Sequence, residues 1–371
     1  MKNINIKNRI KRLKNEILKK GLDTIIIFSD ENRRYLSGYT GENGSYAETA
    51  GFIVITKNQL ILACDFRYYE QAQNETDFYT VILYKESFSK AVSDILQSVN
   101  AKKVGIESLG LTYYHYKEIK KQNSNNRLNI EVIAIDETLK FFRIKKDEYE
   151  IEIIKNALAI AETSFMQFKE KICKGMTEKQ AAWILEKLMR ENGADSMSFK
   201  VIAASGKNSA FPHAIPSKRK FNISEPLVFD FGTKLDGYCS DTTRTLVIKK
   251  PDDQFKQIYE IVFQAQKKAI DKIKPGVKAS FIDKIAREYI DSTKFKGKFK
   301  HSLGHGVGMA IHEEPRLSRF NDMILKPEMV VTIEPGIYVP EWGGIRLENM
   351  IKITNHGAEV LNTMGYDNYI V

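Results

Sequence analysis

The sequence predicts two domains of different class, an α/β domain followed by an α+β domain. Up to about residue 140, short apolar runs bounded by turn-forming residues alternate with helix-like segments, which is typical of α/β folds. Beyond that point helices and strands come in blocks, and this arrangement favours α+β. A length of 371 residues fits two or three domains of roughly 100–200 residues each. We place the boundary between residues 136 and 137.

The first domain is predicted to hold a largely parallel or mixed sheet. Its strand candidates are GLDTIIIFSD, GFIVIT, QLILACD, VILY and KKVGIES. Helix candidates between them include SFSKAVSDILQSV and LTYYHYKEIKKQ. An amphipathic helix is expected at the basic N-terminus, where Ile6, Ile10 and Leu13 recur at three- and four-residue steps. No apolar block or small-residue cleavage site follows this segment, so it is not predicted to be a secretion signal.

The second domain begins with a long helical pattern, FFRIKKDEYEIEIIKNALAIAETSFMQFKEKI. Another helix is predicted to begin at Thr177, where Thr177 and Gln180 fit a capping box. Two more are predicted at DDQFKQIYEIVFQAQKKAIDKI and SFIDKIAREYI, the latter with Ser280 and Asp283 as cap and partner. The strand-like pieces between and after these helices are KVIAAS, LVFDFG, TTRTLVI, MVVTIEP and MIKIT.

Composition excludes several classes of protein. The net charge of +10 does not predict a nucleic-acid partner, because the lysines are spread among acids and no basic run is interleaved with aromatic residues. No stretch approaches the ~18 consecutive apolar residues of a membrane span. The three cysteines, Cys64, Cys173 and Cys239, are few, odd in number and far apart, which predicts a reducing cytoplasm rather than a disulfide framework.

Four acidic residues lie at the ends of apolar strand candidates, where solvent-facing acids are less expected. Asp230 follows one such strand and Asp241 begins the next, so a hairpin is predicted to bring them opposite each other. Glu334 ends another apolar run, and Glu348 lies within an alternating strand pattern. Taken singly, each acid is more often a solvated strand-end carboxylate. Together they make most sense if they converge on positive charge, since a lone buried carboxylate is costly.

Three of the six histidines lie in one stretch, HSLGHGVGMAIHEEP, as His301, His305 and His312. They are too few for a closed zinc site, and their spacing is not that of a zinc finger. A single histidine is more often a hydrogen-bonded core or surface side chain than a ligand. His115 and His356 lie outside every motif and are interpreted as structural or surface residues.

In order and local context, five residues resemble the metal ligands of the pita-bread metallopeptidases, which include methionine aminopeptidases, aminopeptidase P, prolidases and creatinase. The matching text is DFGTKLDGYCSDTTRT, HSLGHGVGMAIHEEP, TIEPGIY and GGIRLEN. The five residues are Asp230, Asp241, His305, Glu334 and Glu348.

The resemblance covers essentially the whole chain. It implies a creatinase-like N-terminal domain over residues 1–136, where RRYLSGYTGENG and DFRYYEQA match, and a pita-bread catalytic domain over residues 137–371. It also implies two divalent metal ions. Carboxylate-rich ligation with one imidazole favours Mn²⁺, with Co²⁺, Zn²⁺ or Fe²⁺ as alternatives.

The same resemblance implies roles for residues around the ligands. Glu334 is the expected proton acceptor from the attacking water. His301 and His312 are similar to the family's substrate-side histidines, which polarise the scissile carbonyl or bind the substrate. His213, in SAFPHAIPSKRKF, matches another substrate-binding histidine, and Arg346 matches an active-site arginine. Lys218, Glu328 and Asn349, none of them a ligand, depart from residues that the family often has.

The N-terminal domain and His301, four places before His305, favour the Xaa-Pro branch over the methionine aminopeptidases. Peptides with proline in second position are therefore the expected substrates. We expect an Xaa-Pro aminopeptidase, because YLSGYTGENG and PHAIPSKR are similar to the compact bacterial aminopeptidase P type, with an Xaa-Pro dipeptidase as the alternative. A metal-free creatinase-like hydrolase and a non-catalytic binding module are more distant rivals, since such relatives have usually lost ligands. The resemblance also implies a homodimer.

Overall fold

The computed structural model describes residues 2–44, 48–366 and 369–371. The chain divides after Phe142 into two compact units, six residues beyond the predicted boundary. The difference arises from the helix over Asp136–Arg143, which belongs with the first unit. Its Leu139 and Phe142 are buried, and the Phe142 carbonyl accepts a hydrogen bond of 3.2 Å from the Tyr35 hydroxyl.

The first unit is an α/β unit, as predicted. Its elements in chain order are α1 Lys2–Lys19, β1 Thr24–Ile27, α2 Asp30–Ser37, β2 Phe52–Thr56, β3 Leu60–Cys64, α3 Tyr69–Glu75, β4 Thr80–Leu83, α4 Phe88–Ser98, β5 Lys103–Ile106, α5 Tyr113–Asn125, β6 Glu131–Ala134 and α6 Asp136–Arg143. The strands form one mixed sheet in the order β4-β3-β2-β1-β5-β6. Strand β2 runs antiparallel to β1 and β3, and the remaining neighbours are parallel.

The second unit has the predicted α+β character, with antiparallel strand pairs and four longer helices. Its elements are α7 Glu148–Lys169, α8 Glu178–Glu191, β7 Ser196–Met197, β8 Ile202–Ser205, a 3₁₀ turn Gly206–Ala210, β9 Pro226–Phe231, β10 Thr233–Leu235, β11 Tyr238–Cys239, β12 Thr242–Val247, α9 Asp253–Ile270, α10 Ala279–Asp291, β13 Gly304–Gly306, β14 Glu313–Leu317, β15 Val330–Ile333, β16 Gly336–Val339, β17 Gly343–Arg346, β18 Asn349–Ile353 and β19 Ala358–Val360. Its sheets have the orders β11-β10-β7, β12-β9-β8, β14-β13-β15-β18-β19 and β16-β17.

Capping explains where the helices of the second unit begin. The long helical pattern is broken because Asp147 and Glu150 form a capping box that starts α7 as a separate helix. The capping box of Thr177 and Gln180 at α8 is confirmed.

The predicted cap of α10 is wrong. Lys278 occupies the N-cap position, and its side chain makes no capping bond. The Ser280 hydroxyl instead donates to Asp322, and Asp283 accepts from Arg287 within the helix. Both side chains therefore have partners that lie outside the predicted pattern.

Strand β9 packs one of its faces against helix α7. The Phe231 ring stacks on Phe165 of α7, with centroids 4.6 Å apart, and the Phe229 ring meets Phe168 edge-on at 5.2 Å. Because side chains alternate along a strand, Asp230 points to the opposite face. The helices thus bury one face of β9, and Asp230 lies on the other face beside the buried Val228. Within the described ranges, no helix combines the length and apolar character needed to cross a bilayer.

Candidate metal centre

The prediction that a hairpin brings Asp230 and Asp241 opposite each other is wrong, although the two residues are held by neighbouring strands. Strands β9 and β12 are antiparallel, with Asp230 opposite Thr243 and Phe231 opposite Thr242. Asp241 directly precedes β12 and therefore lies two residues beyond the position facing Asp230. The register differs because β10 and β11 form a small hairpin of their own between the two strands.

His305 lies in the middle of β13, between two glycines. A side chain at Gly304 would collide with the Thr332 carbonyl, and one at Gly306 with the Glu314 carbonyl. Both glycines therefore let the neighbouring backbone approach closely around His305. The His305 backbone N–H donates to the Thr332 hydroxyl at 3.1 Å.

The sequence pattern predicted that Glu348 lies within a strand, and this prediction is wrong. It lies between β17 and β18, which belong to different sheets. Its carboxylate accepts a hydrogen bond of 2.7 Å from the Thr243 hydroxyl, and its carbonyl accepts one of 2.6 Å from Arg244. Asn349 also accepts a hydrogen bond from Arg244, at 3.0 Å, so this departure from the family keeps a link to Glu348.

The acids and His305 converge on one point in the second unit. Asp241, His305 and Glu348 each offer a ligand atom, and these atoms lie within 4.8 Å of one another. Glu334 directly follows β15, and its Oε1 is 3.5 Å from His305 Nε2, as is Asp241 Oδ2. The described side chains therefore form a compact carboxylate–imidazole cluster, with Asp230 beside it.

Burial and mutual repulsion make this cluster costly without positive charge. Burial and the neighbouring charge of Asp230 raise the pKa of Glu348 to about 8. Burial and the charge of Glu348 raise the pKa values of Asp241 and Glu334 well above their usual range. Burial, followed by the charge of His312, lowers the pKa of His305 to about 4, so its imidazole is neutral at neutral pH.

These features fit divalent cations. A neutral imidazole and several carboxylates are the donors that such ions take from proteins. The buried Asp230 Oδ1 also has no hydrogen-bond partner among the described residues. Buried polar atoms are nearly always paired, so this oxygen fits a ligand atom.

Arg346 links this cluster to its surroundings. It is 3% exposed, and its Nη2 donates to Asp230 at 2.6 Å. Its Nη1 donates to the Tyr338 hydroxyl at 3.0 Å and to the Pro212 carbonyl at 3.1 Å, while Nε donates to the Thr243 hydroxyl at 3.1 Å. One guanidinium thus connects Asp230 with Thr243, which donates a hydrogen bond to Glu348, and with the loop that precedes His213.

The predicted substrate-side histidines are brought together. His301 Nε2 is 2.9 Å from the Tyr338 hydroxyl, and burial, then the charge of Arg346, lowers the pKa of His301 to about 3. The His312 ring packs edge-on against His305, with centroids 4.3 Å apart. Burial lowers the pKa of His312, and His213 is near enough that its charge adds to this effect. His213 itself is exposed.

The two remaining histidines are those interpreted from the sequence as structural or surface residues. His115 packs against Phe88 in the first unit, with ring centroids 5.0 Å apart, and His356 is exposed. Their interpretation as structural or surface residues is confirmed.

Three polar residues around the site were missed from the sequence. Tyr338 and Thr243 lie inside the matching stretches TIEPGIY and SDTTRT, so closer attention to those motifs could have found them. Glu313 lies inside HSLGHGVGMAIHEEP, so the same attention to that stretch could have found it. Burial opposes its ionisation, yet Arg143 at 3.2 Å and Lys146 at 3.4 Å hold the pKa of Glu313 below its usual value.

The carboxylate cluster predicts a pH-dependent stability. Protein stripped of metal ions with chelator is expected to lose about 1 kcal/mol of unfolding free energy between pH 7 and pH 8.5 from Glu348 alone. A raised folded-state pKa stabilises below the unfolded value of 4.5, and this contribution is lost as pH rises through about 8. Asp241 and Glu334 act in the same direction. Urea denaturation at the two pH values measures the difference.

The histidines oppose this change only weakly in this window. The lowered pKa values of His301, His305 and His312 raise stability as unfolded histidines lose their protons, and that loss is mostly complete above about pH 7. Glu348→Gln should flatten the pH dependence, and added Mn²⁺ should reverse it because metal ligands must be deprotonated. Equal stability of the stripped protein at both pH values would contradict the prediction.

A site of buried carboxylates, a neutral imidazole and an adjacent arginine is typical of metal-dependent hydrolases. Residues 152–355 match the model for metallopeptidase family M24, and residues 9–144 match that for the Creatinase/Prolidase N-terminal domain. The chain therefore belongs to metallopeptidase family M24, has a pita-bread catalytic fold and is a metallo-exopeptidase.

Relatives and solved structures are similar over nearly the full chain. The Xaa-Pro dipeptidase of Pyrococcus horikoshii is 38% identical over 355 residues, which cover 95% of this chain and 96% of that protein. The structure of an Xaa-Pro dipeptidase from Bacillus anthracis aligns with a TM-score of 0.92 and 35% identity, over 99% of this chain and 100% of that one. An X-Pro aminopeptidase from Thermotoga maritima aligns with a TM-score of 0.86 and 35% identity, over 98% and 100%.

Proposed function

We propose that this chain is an Xaa-Pro dipeptidase that releases the first residue from dipeptides with proline in second position. The full-length similarity to proteins named Xaa-Pro dipeptidase carries this proposal. It reverses the order of the two activities expected from the sequence, where the aminopeptidase came first. An Xaa-Pro aminopeptidase remains the second candidate, and the similarity to the Thermotoga maritima enzyme favours it.

The five residues Asp230, Asp241, His305, Glu334 and Glu348 are proposed to hold two divalent metal ions, with Mn²⁺ preferred. Four carboxylates carry a charge of −4, which offsets the +4 of two dications. The convergence of these side chains and the raised pKa values of three of the acids support the assignment. Bound there, the ions would lower the pKa of a water molecule to supply the nucleophile and would polarise the scissile carbonyl.

The remaining steps fall to side chains of this chain. Glu334 accepts the proton of the attacking water and passes it to the proline nitrogen, which must be protonated as the C–N bond breaks. His312 has a lowered pKa, and its neutral ring can donate a hydrogen bond to the substrate without adding charge. Neutral His301 donates its Nδ1 proton to the Ser302 carbonyl at 2.8 Å, so it is proposed to act as an acceptor through Nε2. Arg346 holds Asp230 in place, and the exposed His213 is proposed to bind the peptide.

Two peptides separate the candidates. With Mn²⁺ present, kcat/KM for Ala-Pro is expected to exceed that for Ala-Pro-Ala at least about tenfold, because a dipeptidase must close its cleft beyond the proline. A preference for Ala-Pro-Ala would establish the aminopeptidase instead. Equal cleavage of Ala-Ala and Ala-Pro would refute proline specificity for both candidates.

Removal of metal tests the distant rivals. A creatinase-like hydrolase or a binding module would show no metal-dependent turnover, whereas the proposed enzyme should lose activity with chelator and regain it with Mn²⁺. The homodimer stays a prediction from the family resemblance, which a measurement of mass in solution would test.

A further inference from the structure

A buried glutamine lies on the apolar face of α9. Gln266 is 1% exposed and follows Val262 by four residues, so both point from the helix toward the core. An unpaired amide in such surroundings costs about 1–3 kcal/mol, so hydrogen bonds must account for its place. The other buried residues of α9 are Phe255, Ile258, Tyr259, Ile261, Val262, Ala265 and Ala269.

The amide nitrogen of Gln266 donates two hydrogen bonds, and both acceptors directly precede proposed metal ligands. Nε2 lies 2.8 Å from the carbonyl oxygen of Ile333, the residue before Glu334. It lies 3.1 Å from the carbonyl oxygen of Leu347, the residue before Glu348. A single side chain therefore ties together the two backbone segments that present these carboxylates.

The peptide units that lead into Glu334 and Glu348 are thus held from both ends. The Glu334 N–H donates to the Leu303 carbonyl at 2.8 Å, and the Glu348 N–H donates to the Thr243 carbonyl at 3.2 Å. Gln266 holds the carbonyl end of each unit. In the part of the chain that the structure describes, no backbone N–H donates to the Leu347 carbonyl, so Gln266 is the group that satisfies it.

We propose that Gln266 is a positioning residue for the metal centre, which sets the spacing of the Glu334 and Glu348 carboxylates. A planar peptide unit transmits the position of its carbonyl to the following Cα. Loss of the amide would leave the Leu347 carbonyl without this partner and would remove the link to the Ile333 carbonyl, which β15 still holds against β18. The segment that carries Glu348 could then shift relative to the segment that carries Glu334. The inference rests on metal binding at these residues and does not depend on the substrate proposed above.

The test compares Gln266→Met with Val262→Ala, measured as Mn²⁺ affinity by titration calorimetry on chelator-stripped protein. Methionine keeps the length of the side chain but donates no hydrogen bond. Its dissociation constant for Mn²⁺ is expected to rise about 10- to 100-fold, as is typical when outer partners of metal ligands are lost. Val262→Ala removes buried volume one turn away on the same face, so it should lower stability but leave the affinity within twofold.

The outcomes separate positioning from a merely structural role. An unchanged affinity in Gln266→Met, or an equal loss of affinity in both variants, would overturn the proposal. Gln266→Leu provides the same comparison should the methionine variant fail to fold. Failure of both Gln266 variants to fold, with Val262→Ala intact, would also overturn it, because Gln266 would then serve folding as such. Since calorimetry needs no peptide, a failure of the proposed dipeptidase activity remains distinguishable.

Discussion

Replacing Asp241 by alanine is expected to lower kcat for Ala-Pro by more than about 1000-fold. Asp241 is 5% exposed and lies within 4.8 Å of the ligand atoms of His305 and Glu348. The substitution removes one proposed ligand and one of the four charges proposed to offset the cations, which is worth several kcal/mol in a buried site. Steady-state kinetics in saturating Mn²⁺, together with the metal content of the purified variant, measures the effect.

A matched control distinguishes the effect of losing Asp241 at the site from the effect of losing an acidic residue at the surface. Asp253, at the exposed start of α9, makes only a surface ion pair with Lys256 at 3.3 Å. Asp253→Ala should therefore keep kcat within about twofold. Full turnover and full metal content in Asp241→Ala would show that the cluster is not the metal centre.

Replacing Arg346 by methionine is expected to lower kcat/KM by about 100-fold or more. The guanidinium pairs with Asp230 at 2.6 Å and also holds Tyr338 and Thr243. Removing one partner of a buried ion pair typically costs about 3–5 kcal/mol, because the remaining buried charge then has no opposite charge beside it. Kinetics with Ala-Pro over a range of Mn²⁺ concentrations would show how much of the loss arises from weaker metal binding.

The conservative variant tests the role of geometry. Arg346→Lys keeps the charge but cannot make the four contacts of the planar fork, so it should recover only part of the activity. Arg319→Met, at an exposed position, should behave like the unaltered protein. Activity of Arg346→Lys equal to that of the unaltered protein would show that charge alone matters at this position.

The local features of the fold could be predicted because each is encoded within a few neighbouring residues. The capping box of Thr177 and Gln180 spans three residues, and the apolar runs that became β1, β9 and β15 are continuous in sequence. The glycines on either side of His305 are likewise adjacent to it in sequence, and they indicate tight packing of the backbone there. The five proposed ligands could be named because each lies in a short stretch that resembles a known family.

The remaining features depend on partners that are distant along the chain. The register of β9 against β12, which places Thr243 rather than Asp241 opposite Asp230, follows from the inserted hairpin of β10 and β11.

By itself, the sequence determined which residues are proposed to carry the chemistry and which segments become helices and strands, since propensity, capping and motif are local properties. Only the tertiary structure decided how the oxygen atoms of the proposed ligands face one another and which side chains hold those ligands in position. Gln266, 67 residues from Ile333 and 81 from Leu347, shows the reason: its partners are chosen by the packing of a helix against strands, and no sequence pattern records that contact.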